Sequence, residues 1–288
     1  MTGALITARP LRELRTLYEA KPQIRDVIVE GRSDARFIKW YLSERQLFAL
    51  AHAVDDRAEI PSSQVLSFDG EVGPRGRVIG VAHQVDEWKL AKTTVTCIID
   101  SDRAALLEAP TAFPGCLLTT DFGSMEVYFL QTRPFSQFLR LVLGRDEDPD
   151  ELIKKLIPAL NEICVVRAVL HWSGLGIPLV RDFAACCEFT RDSIAVDTNK
   201  LLDRTLSGRD RDHRDNLLGQ VQAVRTRVPK ERRLAIRGHD IAPLLIRELG
   251  LRNVWATPEH FEAAWRGCVQ ASDLDEFPMF TQLRQRVG

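Results

Sequence analysis

Thr94-Val95-Thr96-Cys97-Ile98-Ile99-Asp100-Ser101-Asp102 is the stretch on which the reading of the fold turns. It is a short apolar, β-branched run that stops on two carboxylates. Such a run, bounded by charge, predicts a strand buried on both faces, as in a parallel sheet covered by helices. Ligands of open parallel sheets bind outside the carboxyl ends of the strands. Asp100 and Asp102 lie at that end, and residues i and i+2 of an extended chain point the same way. Two carboxylates held together in this way call for a cation, and a hard divalent ion with oxygen ligands meets the need.

The same design recurs upstream. Val27-Ile28-Val29-Glu30-Gly31 is a β-branched run closed by a carboxylate and a glycine. Ser33 is placed to cap a following helix, Asp34 suits its positive first turn, and Phe37, Ile38, Tyr41 and Leu42 share one face. Before this unit, Leu11, Leu14, Leu17 and Tyr18 predict a lead-in helix closed by Lys21-Pro22. After it, Val65-Leu66-Ser67-Phe68 reads as a second strand. Residues 69–76 read as a glycine-rich loop without the phosphate-loop pattern. Val78, Val81, Val85 and Trp88 carry a helical stripe, and Cys116-Leu117-Leu118-Thr119 reads as the strand after the central one. Thr120 and Asp121 stand at its exit, and a helix is expected from about Ser124 through Val127, Leu130 and Phe138. Strands alternating with helices predict an α/β fold with a parallel sheet flanked by helices.

Beyond about Pro134 the pattern becomes helical. Residues 151–170 read as a helix broken at Pro158, residues 181–206 continue in helical style, and residues 203–215 read as a polar surface connection. Trp172-Ser173-Gly174-Leu175-Gly176 reads as a turn between helices, and final helices are expected from Ile241 and over residues 258–269. The expected organisation is a lead-in helix (1–21), an α/β domain (22–135) and a mostly helical C-terminal region (136–288).

Composition narrows the classes. The 288 residues are 45% hydrophobic and 27% charged, enough to bury a core, and a net charge of −1 gives no global signal for nucleic acid. Eight of the 39 basic residues are Lys and the rest Arg, which suits phosphate recognition but equally follows from a GC-rich genome. Six cysteines without a C-x-x-C pair argue against a zinc site and for reduced, cytoplasmic thiols. No apolar run is long enough to span a membrane, and residues 1–10 lack the form of a secretion signal.

Glu30, Asp100 and Asp102 form the sharpest group, and converge if the first and central strands are neighbours. The alternative for each acid alone is a turn-forming role. Asp121 and Glu126 suit the cap and first turn of a helix. His239-Asp240 reads either as a general-acid pair or phosphate anchor, or as a helix start with Asp240 as its cap. Residues 225–237 hold Arg225, Arg227, Lys230, Arg232, Arg233 and Arg237 against one acid, Glu231. They are a candidate nucleic-acid surface or a solvated helix face.

Val29-Glu30-Gly31-Arg32-Ser33-Asp34 resembles the Glu-Gly-Lys-Ser-Asp opening of TOPRIM domains, and Ile98-Ile99-Asp100-Ser101-Asp102 resembles their Asp-x-Asp motif. TOPRIM is the metal-binding fold of DnaG-type primases, topoisomerases, OLD nucleases and ribosomal-RNA maturation RNases. Thr120-Asp121-Phe122-Gly123-Ser124-Met125-Glu126 and Arg237-Gly238-His239-Asp240 resemble a narrower group, the bacterial TOPRIM-like proteins associated with ABC-type ATPases, including the nuclease effector of the PARIS anti-phage system. The resemblance implies a TOPRIM-like catalytic domain. Glu30, Asp100, Asp102 and Glu126 would be catalytic, and Glu30, Asp34, Asp100, Asp102, Asp121 and Glu126 would hold Mg²⁺ or Mn²⁺. Arg32 stands where Lys is common, keeping positive charge near a scissile phosphate without a base function. Arg32, His239 and the basic run would meet nucleic acid.

The function so implied is a metal-dependent endonuclease acting on DNA or tRNA, an anti-phage effector controlled by a partner ATPase. A homodimer would place two sites along a duplex. The alternatives are a haloacid-dehalogenase-like phosphotransferase, weakened by Ala104 where that family places Thr, and a non-catalytic TOPRIM-fold binding module.

Overall fold

The computed structural model describes residues 8–69, 72–89, 94–107 and 112–288. The chain is mixed α/β and divides into two compact units. One comprises Met1–Asp100, Thr111–Asp121 and Ala271–Gly288, the other Ser101–Pro110 and Phe122–Gln270. Residue 135, the boundary expected from sequence, lies inside the second unit, and the segment after residue 270 belongs to the first.

The first unit is built on four parallel strands, β1 (Asp26–Val29), β2 (Leu50–Ala53), β3 (Val95–Ile99) and β4 (Leu117–Thr119), in the order β2-β1-β3-β4. β1 and β3 are neighbours, with Asp26 opposite Val95 and Ile28 opposite Cys97. Both are buried along their whole length, as their β-branched runs require. Helices α1 (Leu11–Ala20), α2 (Arg32–Glu44) and α3 (Pro74–Trp88) accompany the sheet. Leu14 and Tyr18 of α1 and Val78, Val81 and Val85 of α3 join Ile28, Cys97 and Ile99 in one core. The C-terminal helix Pro278–Val287 adds Phe280, whose ring lies 4.7 Å from Tyr41 and 6.4 Å from Phe37.

Two expectations fail in this unit. Residues Ser62–Asp69 are helical, so Val65-Leu66-Ser67-Phe68 is no strand. The second strand is instead Leu50-Ala51-His52-Ala53, whose two alanines hide it from a search for β-branched runs. Ser33 lies within α2, whose N-cap is Gly31. Asp34 makes the cap instead, its Oδ2 accepting the Gly31 N–H at 3.2 Å.

The second unit is mainly helical. α4 (Pro149–Trp172) runs through Pro158 without ending, because Leu156, Ala159, Leu160 and Ile163 are all buried around it and packing outweighs the missing N–H. Residues 181–206 are not continuously helical: Cys187–Phe189 and Ile194–Val196 form an antiparallel hairpin before the helix Thr198–Thr205. The helix expected from Ser124 is a 3₁₀ turn (Met125–Phe129), followed by Thr132–Gln137 and a π-turn at Phe138–Val142. α5 (Ile241–Glu248) and α6 (Pro258–Arg266) follow in this unit. Gly174 and Gly176 adopt φ of +70° and +67°, the turn expected after Trp172.

Candidate metal-binding and nucleic-acid sites

The pairing of β1 with β3 brings the two carboxylate-tipped strand ends together. Glu30, one residue past β1, accepts the backbone N–H of Asp100, one residue past β3, on Oε1 at 3.0 Å. Arg75, in the first turn of α3, donates to the carbonyl of Asp100, a basic neighbour not expected from the sequence. Its position follows from Pro74 at the start of α3, which sets the helix entry beside the sheet edge. Asp34 at the same edge holds the N-terminus of α2. Arg32 forks onto Asp56, with NH2 to Oδ1 at 2.7 Å and Nε to Oδ2 at 3.0 Å.

Asp121 does not make the local cap that its place before Ser124 suggests. Both of its oxygens lie 3.2 Å from the N–H of Met279, in the first turn of the C-terminal helix of the same unit. A carboxylate is favoured at that positive helix end.

In the second unit, the motif residues are laced to one another. Ser101 Oγ donates to the carbonyl of Phe122, and Asp102 N–H to that of Gly123 at 2.8 Å. Asp102 adopts φ of +47°, a strained conformation for a residue with a side chain. Gly123 is pressed so closely on residue 236 that a Cβ would lie 1.9 Å from the Ile236 carbonyl oxygen. Gly238 donates its N–H to Ser124 Oγ at 2.8 Å, and a Cβ there would lie 2.4 Å from Glu126 Oε2. The glycines of both motifs are therefore required by close approach.

This approach delivers Glu126 and His239 to α6. Phe261 and Trp265 bury one side of α6 against Phe129, Phe135 and Phe138, with Phe138 and Phe261 rings 4.7 Å apart. Glu262 and Arg266, one turn apart, flank that buried side. The ligand atoms of Glu126, His239 and Glu262 lie within 4.8 Å of one another, and among the described residues this is the group of three that can hold a metal ion. Glu126 is buried, Glu262 half-buried and His239 exposed, so the group opens to solvent on one side. Arg266 NH2 stands 3.8 Å from Glu126. His239 Nδ1 is 3.4 Å from Glu262, and that hydrogen bond, supported by the charge of Glu126, pushes the imidazole pKa up to about 9 against the opposing effect of partial desolvation. Glu262 gave no sign of itself in the sequence; one acid on an amphipathic helix is common.

Asp240 starts α5 but does not cap it. Its buried carboxylate takes a two-point fork from Arg167, at 2.8 and 2.7 Å, which outcompetes the backbone amides. The basic run is partly engaged internally. Arg225 forks onto Glu162 and donates to Thr198 Oγ1 at 2.9 Å, and Arg233 pairs with Glu231 and lies 4.6 Å over the Phe122 ring. Arg227, Lys230, Arg232 and Arg237 are exposed. They do not form a single helix face, since Arg214–Arg225 ends before them.

No helix among the described residues is long and apolar enough to cross a membrane. The expectation about a secretion signal falls on residues 1–10, of which 1–7 lie outside the described residues. Searches against protein-family models and curated proteins give no match to this chain.

Proposed function

We propose that the protein is a metal-dependent phosphodiesterase of TOPRIM type that cleaves nucleic acid, with Glu30 and Asp100 at its centre. The observation that carries this reading is the Glu30–Asp100 hydrogen bond at the carboxyl edge of a parallel sheet. It supports the strand-end arrangement that the Glu-Gly and Asp-x-Asp motifs imply.

The donors suit the cation. Carboxylates at neighbouring strand ends are hard oxygen ligands, fitting Mg²⁺. The separate Glu126, His239 and Glu262 group of the second unit contains an imidazole, which favours Mn²⁺ or another transition ion over Mg²⁺. When bound, such a cation polarises a phosphoryl oxygen and lowers the pKa of water. The chain's own residues prepare the edge. Asp100 N–H orients the Glu30 carboxylate, and Arg75 fixes the turn after β3 through the Asp100 carbonyl. Glu30 is then positioned to exchange a proton with an attacking water. Arg32, exposed and steered by Asp56, supplies positive charge at the start of α2.

Residues 69–76 contain no phosphate-binding loop, so nucleotide-dependent control would come from a separate ABC-type ATPase. The test is incubation of the purified chain with plasmid, single-stranded DNA and total tRNA, with and without Mg²⁺ or Mn²⁺, alongside Glu30→Gln. Metal-dependent cleavage lost in the variant supports the reading. Equal cleavage by both proteins ends it.

A further inference from the structure

One cavity is lined by basic residues that come mostly from outside the 225–237 run. This cavity, of about 390 Å³ in the second unit, is lined by Arg103, Arg167, His171 and Arg237 together with the apolar Leu170, Ile177, Pro178 and Leu179. Arg103 follows Asp102 directly, Arg167 and His171 stand one turn apart on α4, and Arg237 opens the Gly238-His239 motif. The turn with Gly174 and Gly176 at positive φ carries the apolar wall into place.

The charge of the cavity is unbalanced. Three guanidinium groups line it, and one buried carboxylate, Asp240, answers two of them: Arg167 at 2.7 Å and Arg237 at 3.7 Å. Asp240 holds Arg167 rigid without cancelling the set. The Arg103 carbonyl accepts the Leu106 N–H at 2.9 Å, while its guanidinium makes no hydrogen bond or ion pair among the described residues. Planar guanidinium groups, one of them held by a carboxylate, together with apolar side chains match a phosphate carried on a nucleoside, with the phosphate on the arginines and the base or sugar against Ile177, Pro178 and Leu179.

We propose that this cavity is a nucleotide-phosphate anchor, binding one phosphate of a nucleic-acid strand or the phosphate of a nucleoside monophosphate. This deepens the nuclease reading and rests on it only for its biological setting, because the binding itself is read without catalysis. Arg103, Arg167 and Arg237 contact the phosphate, and His171 lines the cavity beside them.

The experiment is titration calorimetry of the full chain with a nucleoside 5′-monophosphate, the corresponding nucleoside, inorganic phosphate and a short single-stranded oligonucleotide. The proposal expects binding of the monophosphate and no binding of the nucleoside. Arg103→Gln and Arg237→Gln should each weaken it about tenfold or more, the loss of one charge-assisted contact, with Arg211→Gln as an unchanged control. Tighter binding of the oligonucleotide than of the monophosphate identifies a strand as the ligand, and equal binding identifies the free nucleotide. Failure of every phosphate-bearing probe to bind, or binding unaffected by Arg103→Gln and Arg237→Gln, overturns the proposal. Glu30→Gln separates the two readings: it should bind the monophosphate like the parent while losing cleavage. If it cleaves normally, the catalytic assignment falls and the anchor stands.

Discussion

Glu30 reaches across from β1 to accept the Asp100 N–H at 3.0 Å, so one side chain ties together the ends of two neighbouring strands. Glutamine at this position keeps an accepting oxygen but not the charge. Glu30→Gln should therefore fold with a melting temperature close to the parent's and lose at least about 10²-fold in cleavage rate, the scale of a removed acid–base group. Melting by circular dichroism, run beside the nuclease assay, checks both halves.

Gly238 leaves no room for a side chain against Glu126 and Ser124. Gly238→Ala should destabilise the chain by about 1–3 kcal/mol, as overpacking does, and move Glu126 away from His239. Denaturant unfolding gives the first. Loss of a Mn²⁺-induced rise in melting temperature gives the second, with Gly219→Ala as a comparison, since nothing lies within 4 Å of a Cβ at Gly219.

In the metal-free protein His239 should titrate near pH 9 rather than near 6.5, mainly because of its hydrogen bond to Glu262. The sign follows from the raised value. The ion pair stabilises the fold fully below about pH 6.5 and is lost as pH rises through about 9. Nuclear magnetic resonance titration of the ring should place Glu262→Gln nearer the ordinary value. An unchanged midpoint would remove Glu262 as the cause.

A second titration belongs to Asp26, buried at the start of β1. Tyr18 Oη donates to it at 2.8 Å, Arg57 Nε at 2.7 Å, and His52 Nε2 lies 3.5 Å away. Burial alone would raise its pKa, but His52, Arg57 and Tyr18 together hold it below the ordinary carboxylate value. Its contribution is thus present above about pH 4 and lost as pH falls through the lower folded value. Arg57→Met leaves a buried charge without its guanidinium partner and should cost about 3–5 kcal/mol at pH 7, measurable by urea unfolding. The cost should shrink in acid.

What could be read from sequence follows the strength of local pattern. The buried strands at 27–29 and 95–99 announce themselves by dense β-branched runs ending on acids, and their neighbourhood put Glu30 beside Asp100. Strand 50–53 did not, because alanine carries little strand preference and an edge strand needs less apolar density. Pro158 reads locally as a break and is overruled by the buried faces around it. Glu126 and His239 were visible only as motif residues. Their meeting with Glu262 depends on two glycine-mediated close approaches and on the aromatic packing of α6, which no short window contains. Asp121 reads locally as a cap and by resemblance as a metal ligand; its carboxylate meets a helix far along the chain, which no local window shows.

That last link bears on how the polypeptide is made. Residues 271–288 supply Phe280 to Phe37 and Tyr41, and Met279 to Asp121, long after those partners have left the ribosome. The sheet must wait, with an aromatic face uncovered, while the whole helical excursion of residues 122–270 is synthesised. A nascent chain arrested before residue 271 would present that face to chaperones, and emergence of residues 271–288 would cover it.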